Sequence, residues 1–439
     1  MFVHVVKIAP IVAGNSARDT FILECSVLLV AWWVMRRLRL RFVTVDCYCS
    51  IMKKLGTSEG NLEFLFALIS SHMNVLKLNI LNPDWRLSVL PAIVFAMIGF
   101  LPFLTAYSVC KYYPILEIIV ECLTQTCTGM QVLFRTYFYL CQRNVCRQIV
   151  REMREQRTAY GANQNDRMEQ LFERATARML CLYRLVYAMY CGSFFFLLSP
   201  LIIPDPRKSS LPLAFQLPFL PPDENLLYWC LNYLHHISLN IIGIHHLAPM
   251  DGVVLLALIS ISTRINALQL MLEELDGKIA ESEWQQTEHL EPYLDRIIEL
   301  HSDMKRFAEL VKTTFQLHFF SIITMICLIL CMCLNVIVIQ PKNSIYPLMV
   351  ASIVQLLVVC LFGNILLIAN DRLPASIYGI QWYRLTVAQQ KKILFLMANA
   401  QTDIEMSGVF MPVNMTSFVA VLRAAYSYFT ILNRSAYMS

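Results

Sequence analysis

The residues whose types could do chemistry are few in this 439-residue sequence: the adjacent pair His245 and His246, the glutamates Glu117 and Glu121, fifteen cysteines, and Arg423 and Arg434 near the C-terminus. His245 and His246 are imidazoles that could ligate a metal, but neighbouring positions point to different faces of a helix and no third ligand stands at a matching spacing. Glu117 and Glu121 share a helix face, where a carboxylate either pairs with a buried donor or stays protonated. Cys122, Cys127, Cys181, Cys191, Cys327, Cys331, Cys333 and Cys360 lie inside apolar runs, where a free cysteine acts as a small hydrophobe. No cysteine pair has zinc-ligand spacing with partners elsewhere, and there is no phosphate loop or nucleophile elbow. The net charge of +5 leaves no nucleic-acid footprint. These readings exclude an enzyme and call for no metal and no cofactor.

The elements that must hold these residues are helices in a membrane. The chain is 57% hydrophobic and 15% charged, with a mean hydropathy of +0.53, whereas soluble domains carry roughly 25% charged residues. Runs of about 20 apolar residues suit a helix crossing the hydrocarbon core, and the alternation of a barrel strand is absent. Seven spans are predicted, near Leu90–Tyr107, Ile115–Tyr139, Met179–Ile203, Leu239–Ile261, Phe315–Ile339, Tyr346–Ile368 and Asn414–Leu432. The fold class expected is therefore all-α, a polytopic membrane protein of seven transmembrane helices with cytoplasmic helical extensions.

Lys and Arg set the orientation. Eighteen of them lie in the loops after spans two, four and six, among them Arg143, Arg151, Arg174, Arg264, Lys312 and Lys392; the opposing loops hold four, Lys111, Arg207, Lys208 and Lys342. The N-terminus is then cytoplasmic and the C-terminus external, opposite to a G-protein-coupled receptor. The last span also lies near the end of the chain with no Asn-Pro-x-x-Tyr in it, and no Asp-Arg-Tyr follows the third.

The outer segment from Pro204 to about Asn225 is rich in proline and reads as a loop. Between spans four and five, Leu294, Ile297, Ile298, His301, Met304, Phe307, Leu310 and Val311 recur at three- and four-residue steps, an amphipathic stripe that runs into span five. Span four likewise continues through Leu268, Leu272 and Leu275. Such stripes pack within one chain or between subunits, and an assembly role is the favoured expectation. Phe21–Met35 is apolar but about 15 residues long and followed by Arg36, Arg37, Arg39 and Arg41, shorter than a span. It reads as an interfacial segment, or as part of a stretch lacking from the mature protein if Met52 is the start.

The C-terminal region carries the most specific pattern. Ala375-Ser-Ile-Tyr378-Gly-Ile-Gln-Trp382 precedes Gly408-Val-Phe-Met-Pro412, and the last span holds Tyr426-Ser427-Tyr428-Phe429-Thr430. These ordered motifs, with Asp84-Trp85-Arg86 before span one, resemble the insect odorant receptor family, whose last helix carries a Ser-Tyr-Phe-Thr-like core after a Tyr…Trp pair and a Gly-x-Phe-x-Pro step. The resemblance covers about residues 79–439; nothing before about residue 61 has a counterpart. It divides the chain into an atypical extension (1–60), helices one to six with an odorant pocket (61–370), a cytoplasmic anchor segment (371–413) and a pore-lining last helix (414–439).

The resemblance implies an odorant-tuning subunit of a heterotetrameric, ligand-gated, non-selective cation channel, partnered by a co-receptor and membrane lipid and sited in the plasma membrane of olfactory sensory neurons. It places a small volatile odorant in the outer half of the bundle, among helices two, three, four and six. The candidates there are Glu121 and Thr124; Tyr190, Gly192, Phe195 and Phe196; Ile244, His245 and Met250; and Tyr346, Met349 and Ile353. In any bundle most such residues are ordinary packing, so a minority is expected to touch ligand. In the last helix, Ala420, Ala424, Ser427, Ile431 and Ser435 form a small, weakly polar stripe, which suits either pore lining or close helix approach; the resemblance favours the pore. It also places two hydrophobic gate positions on Ile431, which suits dewetting, and on Ser435, which departs from the pattern. Arg423 is a charge at membrane depth. The nearest rival is a gustatory-type channel of the same fold, disfavoured by the Ser427–Thr430 core; a transporter would need matched broken repeats, and none is found.

Overall fold

A computed structural model of the chain describes residues 58–161, 165–197, 211–284, 286–339 and 345–438, with the side chains of 58–60, 117, 193–197, 339 and 432–438 outside the description. The apolar segment Phe21–Met35 and the first part of the proline-rich outer loop therefore lie outside the described residues. Ten α-helices account for most of the described chain: α1 Ser58–Val75, α2 Val89–Tyr112, α3 Leu116–Cys141, α4 Arg143–Ala159, α5 Asp166–Leu197, α6 Leu226–Glu281, α7 Glu291–Ile339, α8 Ile345–Gly379, α9 Val387–Ala400 and α10 Met415–Met438. The isolated bridge Ser407–Pro412 is the one β-type pairing among the described residues. The fold is all-α, as backbone buried in lipid requires.

The seven predicted spans fall on α2, α3, α5, α6, α7, α8 and α10. Four helical stretches, Val89–Tyr112, Leu226–Glu281, Glu288–Val338 and Ile345–Arg384, are long and apolar enough to cross a membrane by length and composition alone. Helices α3, α5 and α10 are more polar, because they carry Gln125, Gln131 and Arg135, Arg184, and Arg423 respectively. On α3 the polar face turns into the bundle, where Arg135 is fully buried, whereas Arg184 and Arg423 are exposed. On α2, by contrast, Ile93, Phe100 and Phe103 are exposed, the outward face of a helix against lipid.

Two very long helices organise the molecule. At about 1.5 Å per residue, the 56 residues of α6 extend for roughly 84 Å and the 49 of α7 for about 74 Å. The favoured expectation for their apolar stripes needs correction. Leu294, Ile297, Met304, Phe307 and Val311 on α7, and Leu268, Leu272 and Leu275 on α6, are buried inside this chain rather than left for a second subunit. The stripes face each other, and each fully buried side chain of this size contributes about 1.5–3 kcal/mol. Arg264 extends the seam: its guanidinium lies 3.9 Å over the Phe307 ring and donates to the Glu152 carbonyl at 2.9 Å.

The far ends of these helices are joined by α9. Thr386 caps α9 in a capping box with Gln389. The same Gln389, fully buried, accepts from the Thr287 hydroxyl at 2.6 Å and donates to the Thr287 carbonyl at 2.7 Å. One side chain thus starts a helix and fastens it to the turn before α7. Around this anchor, Trp284, Tyr378, Tyr383, Leu394 and Phe395 remain exposed.

An eighth packed helix, α1, precedes the spans. Leu62, Leu65, Phe66, Ile69 and Met73 recur at three- and four-residue steps and are buried, and α1 docks against α5 and α6. His72 stacks on Tyr187 at 3.9 Å and meets the Tyr183 hydroxyl at 2.6 Å.

Candidate ligand site

A cavity of about 240 Å³ opens inside one half of the bundle. Its walls come from six helices: Ile98 and Leu101 of α2; Thr128, Gln131 and Val132 of α3; Met189 and Tyr190 of α5; His236, Ile244 and Leu247 of α6; Ile329 of α7; and Ala351, Ser352 and Gln355 of α8. Pro212, Leu213 and Phe215 close one side. Gly129 lets α2 approach α3 beside the cavity, since a Cβ there would stand 2.6 Å from the Leu101 side chain. Among the described residues no Asp, Glu, Lys or Arg lines the space.

The loop residues 211–225 form the lid, and they are held by specific hydrogen bonds. The Gln216 amide donates to Ser108 Oγ at 3.0 Å, the Leu217 amide to Asn232 Oδ1 at 2.6 Å, and Asn232 Nδ2 to the Leu220 carbonyl at 2.9 Å. Phe215 is buried against Leu104 and Cys122, and its carbonyl accepts from His236 Nε2 at 3.1 Å. The polar side chains of the first turns of α6 hold the backbone that lipid or ligand would otherwise leave unpaired.

The floor of the cavity rests on a buried ion pair. Arg135 of α3 bonds to Asp251 of α6, with side-chain exposures of 0% and 4%. The other Asp251 oxygen accepts from the Tyr190 hydroxyl at 2.7 Å and from Gln355 Nε2 at 3.1 Å. His318 of α7 stands 3.6 Å from the carboxylate and edge-on to Tyr139, whose hydroxyl donates to the Met250 carbonyl. Asp251 is therefore the point at which α3, α5, α7 and α8 meet α6. Two of its partners, Tyr190 and Gln355, also line the cavity, so contents of the cavity and geometry of the ion pair are in direct contact.

The structure distributes the sequence candidates as follows. Tyr190 and Ile244 line the cavity. Thr124 and Glu121 are buried in α3 one to two turns away, with the Thr124 hydroxyl turned back to the Val120 carbonyl. Tyr346 and Met349 pack on the cluster of Val120, Ile329 and Cys333. Met250 is buried, whereas Gly192 and Ile353 are half-buried. His245 faces the other way, toward His72 and Tyr187, while His246 bonds to Thr136 Oγ1 at 2.6 Å; the two rings do diverge. The side chains of Phe195, Phe196 and Ser435 lie outside the described residues. Among the described residues no group of three or more His, Cys, Asp or Glu is placed to hold a metal ion.

On α10, Ala420, Ser427 and Ile431 are exposed and Ala424 half-buried, while Ser417, Val421 and Ala425 turn inward against α7 and α8. Arg423 is exposed as well. At the base of this helix α8 approaches without clearance: a Cβ on Gly363 would stand 1.8 Å from the Val413 carbonyl oxygen.

Sequence reasoning missed Arg135, Asp251, Gln131, His236 and Gln355. The signal was present, since Asp251 is the one acidic residue within the apolar run Leu239–Ile261 and Arg135 the one basic residue within Ile115–Tyr139. Ionisable residues inside a span mark a functional pathway by default.

A helical bundle of this kind, with a cavity among its helices and four stretches long and apolar enough to cross a membrane, is that of a polytopic membrane protein. The family model for the 7tm odorant receptors matches residues 116–426. The chain belongs to the 7tm odorant receptor family, a family of multi-pass membrane receptors and not of enzymes. Odorant receptor 56a of Drosophila melanogaster is 32% identical over 66 residues, 15% of this chain and 16% of that protein; the aligned part thus spans a small share of the relative's length. Two structures of the olfactory receptor OR5 of Machilis hrabei, with and without eugenol, match with a TM-score of 0.67. They are 13% and 14% identical, cover 85% of this chain, and are themselves covered over 100% and 99% of their length. At that identity the likeness shows the fold, seven transmembrane helices included.

Proposed function

We propose that this chain is an odorant-tuning subunit that binds a small volatile compound in the cavity over Asp251 and gates a non-selective cation channel formed with a co-receptor. The observation that carries the reading is the shared wall: α8 lines the cavity through Ala351, Ser352 and Gln355, and eight residues further on its Gly363 touches Val413 at the base of α10. Eight helical residues are about 12 Å, so a tilt of α8 forced by an occupant acts directly on α10. Binding opens the channel to the extent that ligand prefers the tilted arrangement. Tyr190 and Ile244 are then ligand contacts, as lining residues of the cavity. Ala420, Ala424, Ser427 and Ile431 line the pore on the face that α10 turns away from its own bundle, with Ser435 one turn beyond. Ile431, 62% exposed in the single chain, is the hydrophobic constriction.

Segment 371–413 serves as the anchor. The exposed Tyr378, Tyr383, Leu394 and Phe395 offer an aromatic surface for neighbouring subunits, which assembly around a central pore would cover. With eighteen Lys and Arg on that side, the N-terminus and anchor are cytoplasmic and the cavity faces outward, as required of a receptor in the plasma membrane of olfactory neurons. OR5 of Machilis hrabei, of the same fold, has been solved with eugenol, which supports a small volatile as the ligand class. Two-electrode recording from cells expressing this chain with and without the co-receptor, against an odorant panel, tests the reading. Odorant-evoked cation current is expected only from the pair; current from this chain alone would refute the tuning-subunit role.

A further inference from the structure

We infer that the cavity selects a neutral hydroxyl compound, an alcohol or phenol, whose O–H is held between His236 and Gln131. The inference rests on the proposed ligand site and specifies its ligand. The tautomer of His236 follows from its partner. The Phe215 carbonyl can only accept, so Nε2 carries the proton in the 3.1 Å bond, and Nδ1 of the neutral ring is left as a bare acceptor. That Nδ1 is buried and has no partner, in a residue only 1% exposed. Gln131, 5% exposed, presents the complementary fault: its Nε2 is a buried donor without a partner. Both residues line the same space, whose other polar side chains include Thr128, Tyr190, Ser352 and Gln355; Thr128, Tyr190 and Ser352 already donate to the Thr124 carbonyl, Asp251 and the Leu348 carbonyl. A buried polar group left unpaired carries a desolvation cost that a ligand recovers by pairing it, and a hydroxyl is the smallest group that donates to one and accepts from the other.

The remaining lining excludes the alternatives. Among the described residues no carboxylate lines the cavity to offset the desolvation of an ammonium, and no Lys or Arg to offset that of a carboxylate. Ethers, esters and hydrocarbons have no proton for His236 Nδ1. The volume, about 240 Å³, lies just below the range of ~300–1,000 Å³ typical of drug-sized ligands, so the compound is of volatile size. Its apolar body would rest on Ile98, Leu101, Leu213 and Leu247.

The test uses the full chain with its co-receptor and a set of four probes sharing one carbon skeleton: a primary alcohol, its methyl ether, the hydrocarbon and the carboxylic acid. Dose–response currents are paired with ligand-induced thermal shifts of the purified receptor. The alcohol is expected to act at a concentration at least about tenfold below the ether, as for a site built to bond a hydroxyl, with the acid inactive. In Gln131→Leu, which leaves the lid bonds intact, the preference should fall below about threefold; in His236→Phe, which also removes the bond to the Phe215 carbonyl, the preference should fall likewise with a weaker response to every probe. Equal potency of alcohol and ether, or a preference unchanged in both variants, would overturn the inference and leave the ligand site standing. A water held between the two side chains, indifferent to every probe, would be revealed by a thermal shift with none of them and would overturn the ligand site as well.

Discussion

The ion pair beneath the cavity makes a quantitative prediction. Asp251→Asn keeps the size of the side chain and a carbonyl oxygen for Tyr190 and Gln355, but removes the charge opposite Arg135. Arg135 has no exposed surface, and its Nε and Nη1 have no hydrogen-bond partner, so neither solvent nor another acceptor can take over. Removing one member of a buried pair costs about 3–5 kcal/mol, because the other charge stays buried alone. Removing both is milder: Arg135→Met with Asp251→Asn leaves no charge and should cost only about 1–2 kcal/mol; because Arg135→Met alone strands Asp251 at a similar cost of about 3–5 kcal/mol, the double-mutant cycle should give a coupling of at least about 4 kcal/mol. In fluorescence-detected size-exclusion of the purified receptor, the single variant should lose its folded peak at a temperature on the order of 10 °C lower, and the double variant most of the way back. A single variant within about 2 °C of the parent, or a double variant as unstable as the sum of the singles, would refute the account of Asp251 as the charge that holds five helices together.

Gly363→Ala would drive a methyl into the Val413 carbonyl; ligand binding by thermal shift should persist while evoked current falls by at least about tenfold, since the contact between α8 and α10 must separate by more than an ångström. Gln389→Leu strands the buried Thr287 hydroxyl and carbonyl and removes half of a capping box, so it should cost about 2–4 kcal/mol; limited proteolysis should cut first near residues 385–400. Burial, with the Lys305 ammonium adding to it, holds His301 down to about 4. The ring is neutral in the fold while the unfolded chain takes up a proton near pH 6.5. Its stabilisation is therefore complete above about pH 6.5 and is lost progressively as pH falls toward 4, by at most about 3 kcal/mol. His301→Leu should flatten the dependence of melting temperature on pH between 7 and 5, and an unchanged slope would count against it.

What the sequence made legible was the scale on which apolar residues repeat. Runs near 20 residues gave the positions of the spans, and steps of three and four from Leu294 to Val311 gave a helix continuous with span five, because both signals are local. Whether that stripe packed on its own chain was not local. It depended on α6 carrying Leu268, Leu272 and Leu275 at the matching height, and the two stripes together close the seam. The site was legible in part for the same reason. Tyr190 and Ile244 face the cavity from helices that the apolar runs locate, but His245 shares its helix with Ile244 and turns about 100° away, toward His72 of α1, a helix that lies before the seven spans. Arg135 and Asp251 were overlooked because each, taken alone, looks like a tolerated exception in an apolar run. Only their pairing across 116 residues of sequence makes them a feature.

That same separation bears on how the receptor is made. Arg135 lies in the last third of α3, where a charge opposes insertion by less than the about 2.5–3.5 kcal/mol of a mid-span arginine, and α3 lacks the unbroken hydropathy that carries α2 across the membrane. Its counter-charge has not yet been synthesised when α3 leaves the ribosome. At about 5–20 residues per second, Asp251 follows Arg135 by roughly 6–23 s, an interval in which Arg135 is without this counter-charge. Helix α6, whose middle turns are the most deeply buried of the bundle, then arrives as a template that draws α3 into place. Nascent chains truncated between residues 141 and 251 are expected to stay bound to insertion chaperones and to be released once Asp251 is included; equal release of both would refute this late closure.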